Sequence, residues 1–408
     1  MSAAEKRSIH AEQCDVLIVG GGPAGMVLAY ALARQGIEVR VLEREVGCMD
    51  DMRASTMHPP TLDIMAELGL LDELEDRGLR AAVFQYYNLQ NGGRFALDMS
   101  ELADEIAHPY RLQCEQFKLT RLIASRLEAL PNARVDFNTR ALSFAQDADG
   151  VTLYAETPME IRAYRARYVA AADGASSTLR KWLGVEFDGF TYPESFLTLS
   201  TDYPIDTHLP WTSGVNYVAD PPKWSVLLQV PGLWRVLVPV SESMPASEIT
   251  GDSFKDKVFA DLLGPDAGNI KTHHRTVYRV HQRVAKTFRD GRVILIGDAA
   301  HLNNPLGGFG MNSGIHDAWN LTEKLTRILL EGADPEPLLD RYARQRRNIA
   351  SSFVQTQTIA NKQALEDGGA VEYREKQMAK LASDPVARRA YLLEQSMVSC
   401  VRREALID

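Results

Sequence analysis

A chain of 408 residues exceeds the size of one ordinary hydrophobic core, so we expect two domains. Apolar residues make up 45% and charged residues 24%, a normal globular balance, while the formal net charge of −9 excludes the basic surface of a nucleic-acid-binding protein. The four cysteines form no CxxC pair, which excludes the common zinc spacings and a disulfide framework and favours a cytoplasmic protein.

The first segment with a regular pattern is a βαβ unit. "DVLIV" at 15–19 reads as a buried parallel strand, a helix is expected over 22–35, and "EVRVLER" gives a second strand that ends at Glu43. Such a unit implies a parallel sheet with a right-handed crossover. The apolar run 16–33 approaches the length of a membrane span, but its four glycines and one proline favour the βαβ interpretation, so no membrane segment is expected.

The turn between this first strand and its helix carries a dinucleotide-binding pattern, Gly20-x-Gly22-x-x-Gly25. Gly20 permits the tight turn, Gly22 lets a pyrophosphate approach the backbone, and Gly25 lets the helix pack closely on the sheet. Free amides at the helix start, around Ala24, then face the phosphates. Glu43 ends the second strand, where a carboxylate can accept hydrogen bonds from ribose hydroxyls. This pattern predicts a bound dinucleotide but does not distinguish NAD from FAD.

The next part of the chain mixes helix and strand. Residues 117–130 form an amphipathic helix, and 133–156 read as a β-meander with a turn at Asp149-Gly150. "ARYVAAADGASS" is a further buried strand, which ends at Asp173. These elements extend the first domain.

Residues 186–288 have a different character. Stretches such as "WSVLLQV" and "LWRVLVPV" alternate and predict a separate antiparallel sheet. "GRVILIGDAAH" then returns to the buried parallel style and ends at Asp298, and the chain is predicted helical from Gly314 onward.

Two acidic residues therefore stand at strand ends, besides Glu43. Asp173 and Asp298 are each placed to bind a sugar or ribityl hydroxyl, with Gly174, Ser177 and Arg180 following the first of them. Each aspartate could instead cap the helix that follows it. Three such strand ends in one chain favour a ligand.

In this order, the motifs at 20–25, Asp173-Gly174 and Gly297-Asp298 resemble those of the para-hydroxybenzoate hydroxylase-like family of FAD-dependent aromatic monooxygenases. Through "RASTMHPPTLDIMAELGL" and "VHQRVA" the chain looks closest to the phenol and 3-(3-hydroxyphenyl)propionate hydroxylase branch. It departs from the family at Asn303-Asn304-Pro305, where two prolines are common, and at Pro60, where the branch often has a basic residue.

The resemblance implies an α/β fold (α+β overall) with a Rossmann-like FAD-binding domain, which has a parallel sheet and a β-meander. An antiparallel-sheet substrate domain and C-terminal helices complete it. The implied boundaries are 1–80, 100–185 and 277–330 for the FAD domain, 81–99 and 186–276 for the substrate domain, and 331–408 for the helical segment.

The resemblance also assigns the cofactor site by position. Glu43 would bind the adenosine ribose, Arg44 would lie beside the adenine, and Arg53 would contact the flavin or its pyrophosphate. Gln113 would reach the pyrophosphate–ribityl region, and Asp298 would hold the ribityl chain. Asp173 belongs to a motif attributed to both FAD and NAD(P)H binding, and Arg180 would support that turn.

By resemblance, the activity is hydroxylation of a phenolic or heteroaromatic compound with O₂ through a flavin C4a-hydroperoxide, with NADH or NADPH as a transient electron donor. Negative charge on the reduced flavin needs stabilisation, for which the best candidates are the backbone amides of Gly310, Met311 and Asn312 at a helix start. Pro305 and Gly308 would position the ring. The alternatives are an epoxidase, a Baeyer–Villiger enzyme or a reductase, or a non-catalytic FAD-binding protein.

Substrate contacts are sought on the antiparallel sheet, at Tyr217, Trp224, Gln229 and Arg235. A phenol needs an acceptor or base for its hydroxyl, and a carboxylate-bearing substrate would suit Arg235. Alternating aromatics on strands can equally be plain core, and Arg235 can be a surface residue. Three histidines are interpreted as structural: His208, His281 and His301. No metal site is expected. The charged helical tail leaves a homo-oligomer open.

Overall fold

The computed structural model describes residues 11–50, 52, 54–220, 223–265, 267, 269–366 and 368–408. Arg53 lies outside these residues. Two eight-stranded sheets and one three-stranded sheet organise the described chain. The strands are β1 (Glu12–Val19), β2 (Val39–Leu42), β3 (Thr56–Met57), β4 (Leu79–Ala81), β5 (Val83–Asn88), β6 (Arg94–Asp98), β7 (Arg111–Gln113), β8 (Ala133–Asp136), β9 (Arg140–Gln146), β10 (Val151–Glu156), β11 (Ile161–Ala171), β12 (Phe187–Thr201), β13 (Val215–Asp220), β14 (Lys223–Val230), β15 (Leu233–Ser241), β16 (His274–Ala285), β17 (Arg289–Asp290), β18 (Val293–Leu295) and β19 (His301–Leu302).

Helices flank the sheets and dominate the C-terminal part of the chain. They are α1 (Pro23–Arg34), α2 (Pro59–Glu67), α3 (Leu71–Glu75), α4 (Gln116–Glu128), α5 (Thr178–Trp182), α6 (Ile205–His208), α7 (Ala246–Ile249), α8 (Asp252–Leu263), α9 (Phe309–Leu330), α10 (Pro335–Ile349), α11 (Gln355–Glu366), α12 (Gly368–Ser383), α13 (Pro385–Gln395) and α14 (Val398–Ala405). In the described residues no helix is both long and apolar enough to span a bilayer.

The first large sheet is the predicted parallel sheet. Its order is β17-β18-β11-β1-β2-β8, and the meander strands β9 and β10 join it through β11. Strands β2, β1, β11 and β18 are parallel neighbours, so their carboxyl ends meet at one edge. The last four residues of β1, 16–19, are all buried, as the composition of that strand predicts.

The second large sheet has the order β19-β16-β12-β15-β14-β13-β5-β6, and its pairs are antiparallel apart from β13 with β5. Strands β5 and β6 of this sheet come from segment 81–99. The predicted boundary at residue 277 falls inside β16, whose alternating sequence continues without a break. The predicted mixture of a parallel sheet, a meander, an antiparallel sheet and C-terminal helices is therefore confirmed.

A buried ion network joins the C-terminal helices to one another and to His301 on β19 of the second sheet. The Asp317 carboxylate, on α9, accepts a hydrogen bond from Arg346 Nε at 2.6 Å and lies 2.8 Å from His301 Nε2. Arg346 also pairs with Glu404 on α14, which ties three helices together. Burial alone would raise the pKa of Asp317, but His301 and Arg346 hold that pKa below its ordinary value.

This network predicts a large stability loss for Arg346→Met, because the substitution leaves a buried carboxylate without its cation. We expect the free energy of unfolding at pH 7 to fall by about 3–5 kcal/mol, measured by urea denaturation. Since the pKa of Asp317 is lowered, the wild-type contribution is present at neutral pH and is lost as the pH falls through that pKa. Lys286→Gln, which removes an exposed ion pair with Glu186, is the control and should leave the free energy of unfolding nearly unchanged. Equal losses in the two variants would contradict this assignment.

Candidate functional site

One large cavity lies where the carboxyl edge of the parallel sheet faces the antiparallel sheet. Its volume is about 800 Å³, within the usual range for small-molecule sites. One end is lined by the glycine turn after β1, the middle by the ends of β11 and β18, and the other end by side chains of β12–β16 and the start of α9. The cavity is therefore shared by both sheets.

The glycine turn at the first end has the close contacts that its sequence predicts. A Cβ on Gly25 would lie 2.1 Å from the Gly20 carbonyl oxygen, and one on Gly20 would lie 2.2 Å from the Ala172 oxygen. A Cβ on Gly22 would meet no atom within 4 Å, because this residue borders the cavity. Gly20 thus lets the turn pack against the end of β11, Gly25 lets α1 pack against the turn, and Gly22 leaves open space.

The Glu43 carboxylate, at the end of β2, borders the same end of the cavity. It accepts hydrogen bonds from the backbone amides of Gly21 at 2.5 Å and Glu45 at 2.9 Å. These bonds fix its position beside the turn. Arg44 also lines the cavity, with a largely exposed side chain that pairs with Glu45 at 3.2 Å.

Asp173 caps the helix that follows it and also borders the cavity. Its carboxylate accepts hydrogen bonds from the amides of Thr178 at 2.7 Å and Leu179 at 3.2 Å, and from Ser177 Oγ at 2.5 Å. It also lines the cavity. Arg180 stabilises this turn, because its guanidinium donates to the carbonyl oxygens of Ala299 and Ala175.

The turn after β18 contacts the first glycine turn directly. A Cβ on Gly297 would lie 3.1 Å from the Ala24 Cβ, and one on Gly314 would lie 3.1 Å from the Gly297 Cα. The Gly297 amide donates to the buried Asp317 carboxylate at 2.8 Å. Asp298, the next residue, is exposed and lines the middle of the cavity.

Helix α9 begins at Phe309, five residues before the predicted start at Gly314. The prediction was wrong here because the sequence Gly-Gly-Phe-Gly suggests a loop, whereas Gly308 at φ +74° closes the preceding turn and the helix follows at once. The amides of the first helical turn have no intrahelical acceptor, and Gly310 and Met311 line the cavity there. Pro305 and Gly308 line it too.

Asn312 and Gln113 do not line the cavity but support its wall. The Asn312 side chain accepts from the His58 amide at 2.8 Å and donates to the carbonyl oxygens of Thr56 and Gly308. The Gln113 side chain accepts from Thr56 Oγ1 at 2.9 Å. Asn312 therefore links α9 to β3, and Gln113 links β3 to its neighbour β7.

The antiparallel sheet brings two of the four predicted substrate residues to the cavity, Tyr217 and Arg235. On β14 the cavity-lining residues are Val226 and Leu228, so Gln229 points to the opposite face. Trp224 lies on the cavity-facing side but packs against Phe196 in the core, with ring centroids 5.2 Å apart.

Several cavity residues were missed by the sequence analysis: Ser55, Arg111, Gln116, Thr198 and Tyr278. Gln116 is the first residue of α4. It follows the predicted site residue Gln113 by three positions, so its place in the sequence could have suggested it. Ser55 immediately precedes β3. Arg111, Thr198 and Tyr278 lie on strands without a motif, and only the packing of segments distant in sequence brings them together. Burial raises the pKa of Tyr278 to about 12, so its phenol stays protonated near neutral pH.

The three histidines have structural partners. His301 is buried against Asp317, and His208 bonds Tyr203 and the Leu263 carbonyl oxygen. His281 lines the cavity and lies 2.9 Å from Thr191 Oγ1, and burial lowers its pKa. In the described residues, no group of three or more His, Cys, Asp or Glu side chains could hold a metal ion.

Comparison with known proteins decides the family. Residues 13–357 match the model of a family described as "FAD binding domain". The chain belongs to this FAD-binding family. It is 36% identical over 386 residues to the para-nitrophenol 4-monooxygenase of Pseudomonas sp. (strain WBC-3), covering 93% of this chain and 94% of that protein. It is 35% identical to the 6-hydroxy-3-succinoylpyridine 3-monooxygenase of Pseudomonas putida, covering 81% of this chain and 84% of that protein.

Solved structures with a similar fold belong to the same kind of enzyme as these relatives. The p-nitrophenol 4-monooxygenase of Pseudomonas putida DLL-E4 superposes with a TM-score of 0.89 at 34% identity, covering 94% of this chain and 98% of that one. A ternary complex of aklavinone-11 hydroxylase with FAD and aklavinone gives a TM-score of 0.78 at 25% identity, covering 88% of this chain and 70% of that one. The protein is thus an FAD-dependent aromatic monooxygenase, as the sequence resemblance implies.

The glycine turn yields a paired prediction. Gly22→Ala should fold with an unchanged melting temperature, because its Cβ meets nothing, but should lower FAD affinity at least tenfold, because the methyl group occupies the space beside the pyrophosphate. Gly25→Ala should destabilise the fold itself. FAD titration monitored by flavin fluorescence, combined with thermal melts, measures both effects. Normal FAD binding by a folded Gly22→Ala protein would contradict this placement of the pyrophosphate.

Proposed function

We propose that the protein hydroxylates a small phenol with a second polar substituent on its ring, with FAD extended along the cavity. The observation that carries this proposal is the continuity of the cavity from the glycine turn at Gly22 to the antiparallel sheet at Tyr217 and Arg235. The similarity to para-nitrophenol 4-monooxygenase over 93% of the chain supports a substrate of that size and kind.

The residues around the cavity suit the two ends of FAD. Space at Gly22 and the amides that follow it would receive the pyrophosphate, with Glu43 on the adenosine ribose and Arg44 beside the adenine. Asp298 would accept from ribityl hydroxyls. When bound, FAD supplies the redox chemistry with NADH or NADPH and O₂.

At the far end, Pro305 and Gly308 would border the flavin ring, and the Gly310 and Met311 amides would face its electron-rich edge. A helix N-terminus stabilises negative charge by about 0.3–1 kcal/mol when exposed and by more when partly buried. Asn312 would act through its side chain, which fixes the first turn of α9 against β3.

The antiparallel sheet supplies an apolar surface for the aromatic substrate. Apolar side chains that line it exclude water from the reacting atoms: Val215, Val226, Leu228, Leu237 and Val280. Tyr278 and Thr198 add hydroxyl groups at one side of this apolar surface. Because the pKa of Tyr278 is about 12, its phenol would serve as a hydrogen-bond donor to a substrate oxygen rather than as a base.

We also propose a cytoplasmic location. All four cysteines are free thiols, which suits a reducing compartment.

The proposal is tested by turnover of the FAD-loaded protein under ¹⁸O₂ with 4-nitrophenol and other para-substituted phenols. We expect phenol-stimulated oxidation of NADH or NADPH and a product that contains one ¹⁸O atom, identified by mass spectrometry. A matched reaction with the methyl ether of each phenol, which has no ionisable hydroxyl, should give little product. Phenol-stimulated oxidation that yields only hydrogen peroxide across the panel would contradict the hydroxylase proposal.

A further inference from the structure

Arg111 is a buried cation at the substrate end of the cavity, outside the predicted site. It lies on β7, its residue is 1% exposed, and it lines the cavity. Its guanidinium sits 4.3 Å from the centroid of the Phe84 ring, and Nη2 donates to the Gln395 carbonyl oxygen at 3.2 Å. The side chain is therefore held in place from two sides by groups without charge.

The hydrogen bonding of Arg111 is incomplete. A guanidinium has five N–H donors, yet Arg111 makes this single hydrogen bond to the described residues, and its buried Nε has no partner. No described carboxylate forms an ion pair with it. Two other buried arginines differ, since Arg40 pairs with Glu12 and Asp136, and Arg346 pairs with Asp317 and Glu404. A desolvated cation without an anion is costly, so an anion from outside the chain suits this position.

Strand register shows what lies beside Arg111. Phe84, Val215, Leu228 and Arg235 are successive partners across β5, β13, β14 and β15, so they form one row on the same face. Three strand spacings place Phe84 and Arg235 about 14 Å apart along this row. Arg111 covers the Phe84 end, and Val215 and Leu228 line the cavity between the two cations. Arg235 donates to Ser55 Oγ at 3.1 Å at the other end.

We propose that Arg111 binds a carboxylate group of the aromatic substrate and so selects carboxylate-bearing phenols over their uncharged analogues. The planar fork of an arginine matches a carboxylate, and a charge-assisted hydrogen bond in a dry cavity is strong. The apolar side chains of Val215 and Leu228 then contact the ring. This inference rests on the proposed function for the identity of the aromatic ligand, but its test needs no turnover.

The test compares isosteric ligands on oxidised, FAD-loaded protein. Dissociation constants for 4-hydroxybenzoate and 4-hydroxybenzamide, and for the corresponding 3-hydroxy pair, are measured by perturbation of the flavin absorbance. Wild-type protein should bind at least one acid more tightly than its amide. Arg111→Gln should weaken binding of that acid by about 10- to 100-fold and change binding of its amide by less than about threefold. Arg111→Lys, which keeps the charge and loses the fork, should fall between wild type and Arg111→Gln.

Controls separate ligand binding from folding and from the flavin. Arg140→Gln removes an exposed arginine of the meander and should leave all four dissociation constants unchanged. FAD affinity and flavin reduction potential should be the same in wild type and Arg111→Lys, which remains informative if Arg111→Gln does not fold.

Several results would overturn the proposal. One is an equal loss of acid and amide binding in the Arg111 variants. Others are a wild-type preference for the amides, or no binding of either pair by the wild-type protein. A shift in flavin reduction potential without a change in ligand selectivity would also overturn it. Selective binding of the acids without any hydroxylated product would instead refute the proposed function and leave this anion subsite in place.

Discussion

The buried carboxylate of Asp317 is the interaction on which the cavity depends. It accepts the Gly297 amide at 2.8 Å and is neutralised by Arg346, with His301 beside it. The Gly297 turn and the start of α9 thereby occupy fixed positions relative to each other, although they are 12 or more residues apart in the chain. Because Arg346 and Glu404 belong to the C-terminal helices, those helices contribute to the shape of the cofactor site without lining it.

Contacts between the two glycine-rich turns follow from this arrangement. Gly297 and Gly314 approach Ala24 so closely that a Cβ at either glycine would lie within 3.4 Å of the Ala24 Cβ. In the proposed arrangement, the first turn would receive the pyrophosphate end of FAD, and the second would present Asp298 and the amides of α9 to its other end. The second glycine-rich segment therefore complements the first and does not duplicate it. The antiparallel sheet then closes the cavity around the space left for the substrate.

Local sequence patterns predicted much of this architecture. The buried run 16–19 and the spacing of Gly20, Gly22 and Gly25 encode a turn whose geometry depends on adjacent residues, so the strand, turn and helix could be identified in advance. Asp298 was identifiable because it ends a buried strand. Arg111 was not, since it carries no motif, and its guanidinium meets Phe84 only because β7 and β5, which belong to different sheets, come together in the fold. Gln229 was misplaced because alternation reveals that two faces exist but not which of them faces the ligand.

The central claim is that one cavity receives FAD between the two glycine-rich turns and the aromatic ligand over the antiparallel sheet. A crystal structure of the protein with FAD and 4-nitrophenol tests it most directly. The account predicts the pyrophosphate within hydrogen-bond distance of the amides at 22–24, a ribityl hydroxyl on Asp298, and the phenol over Val215 and Leu228. An FAD with its ends reversed, or a phenol bound outside this cavity, would contradict the account.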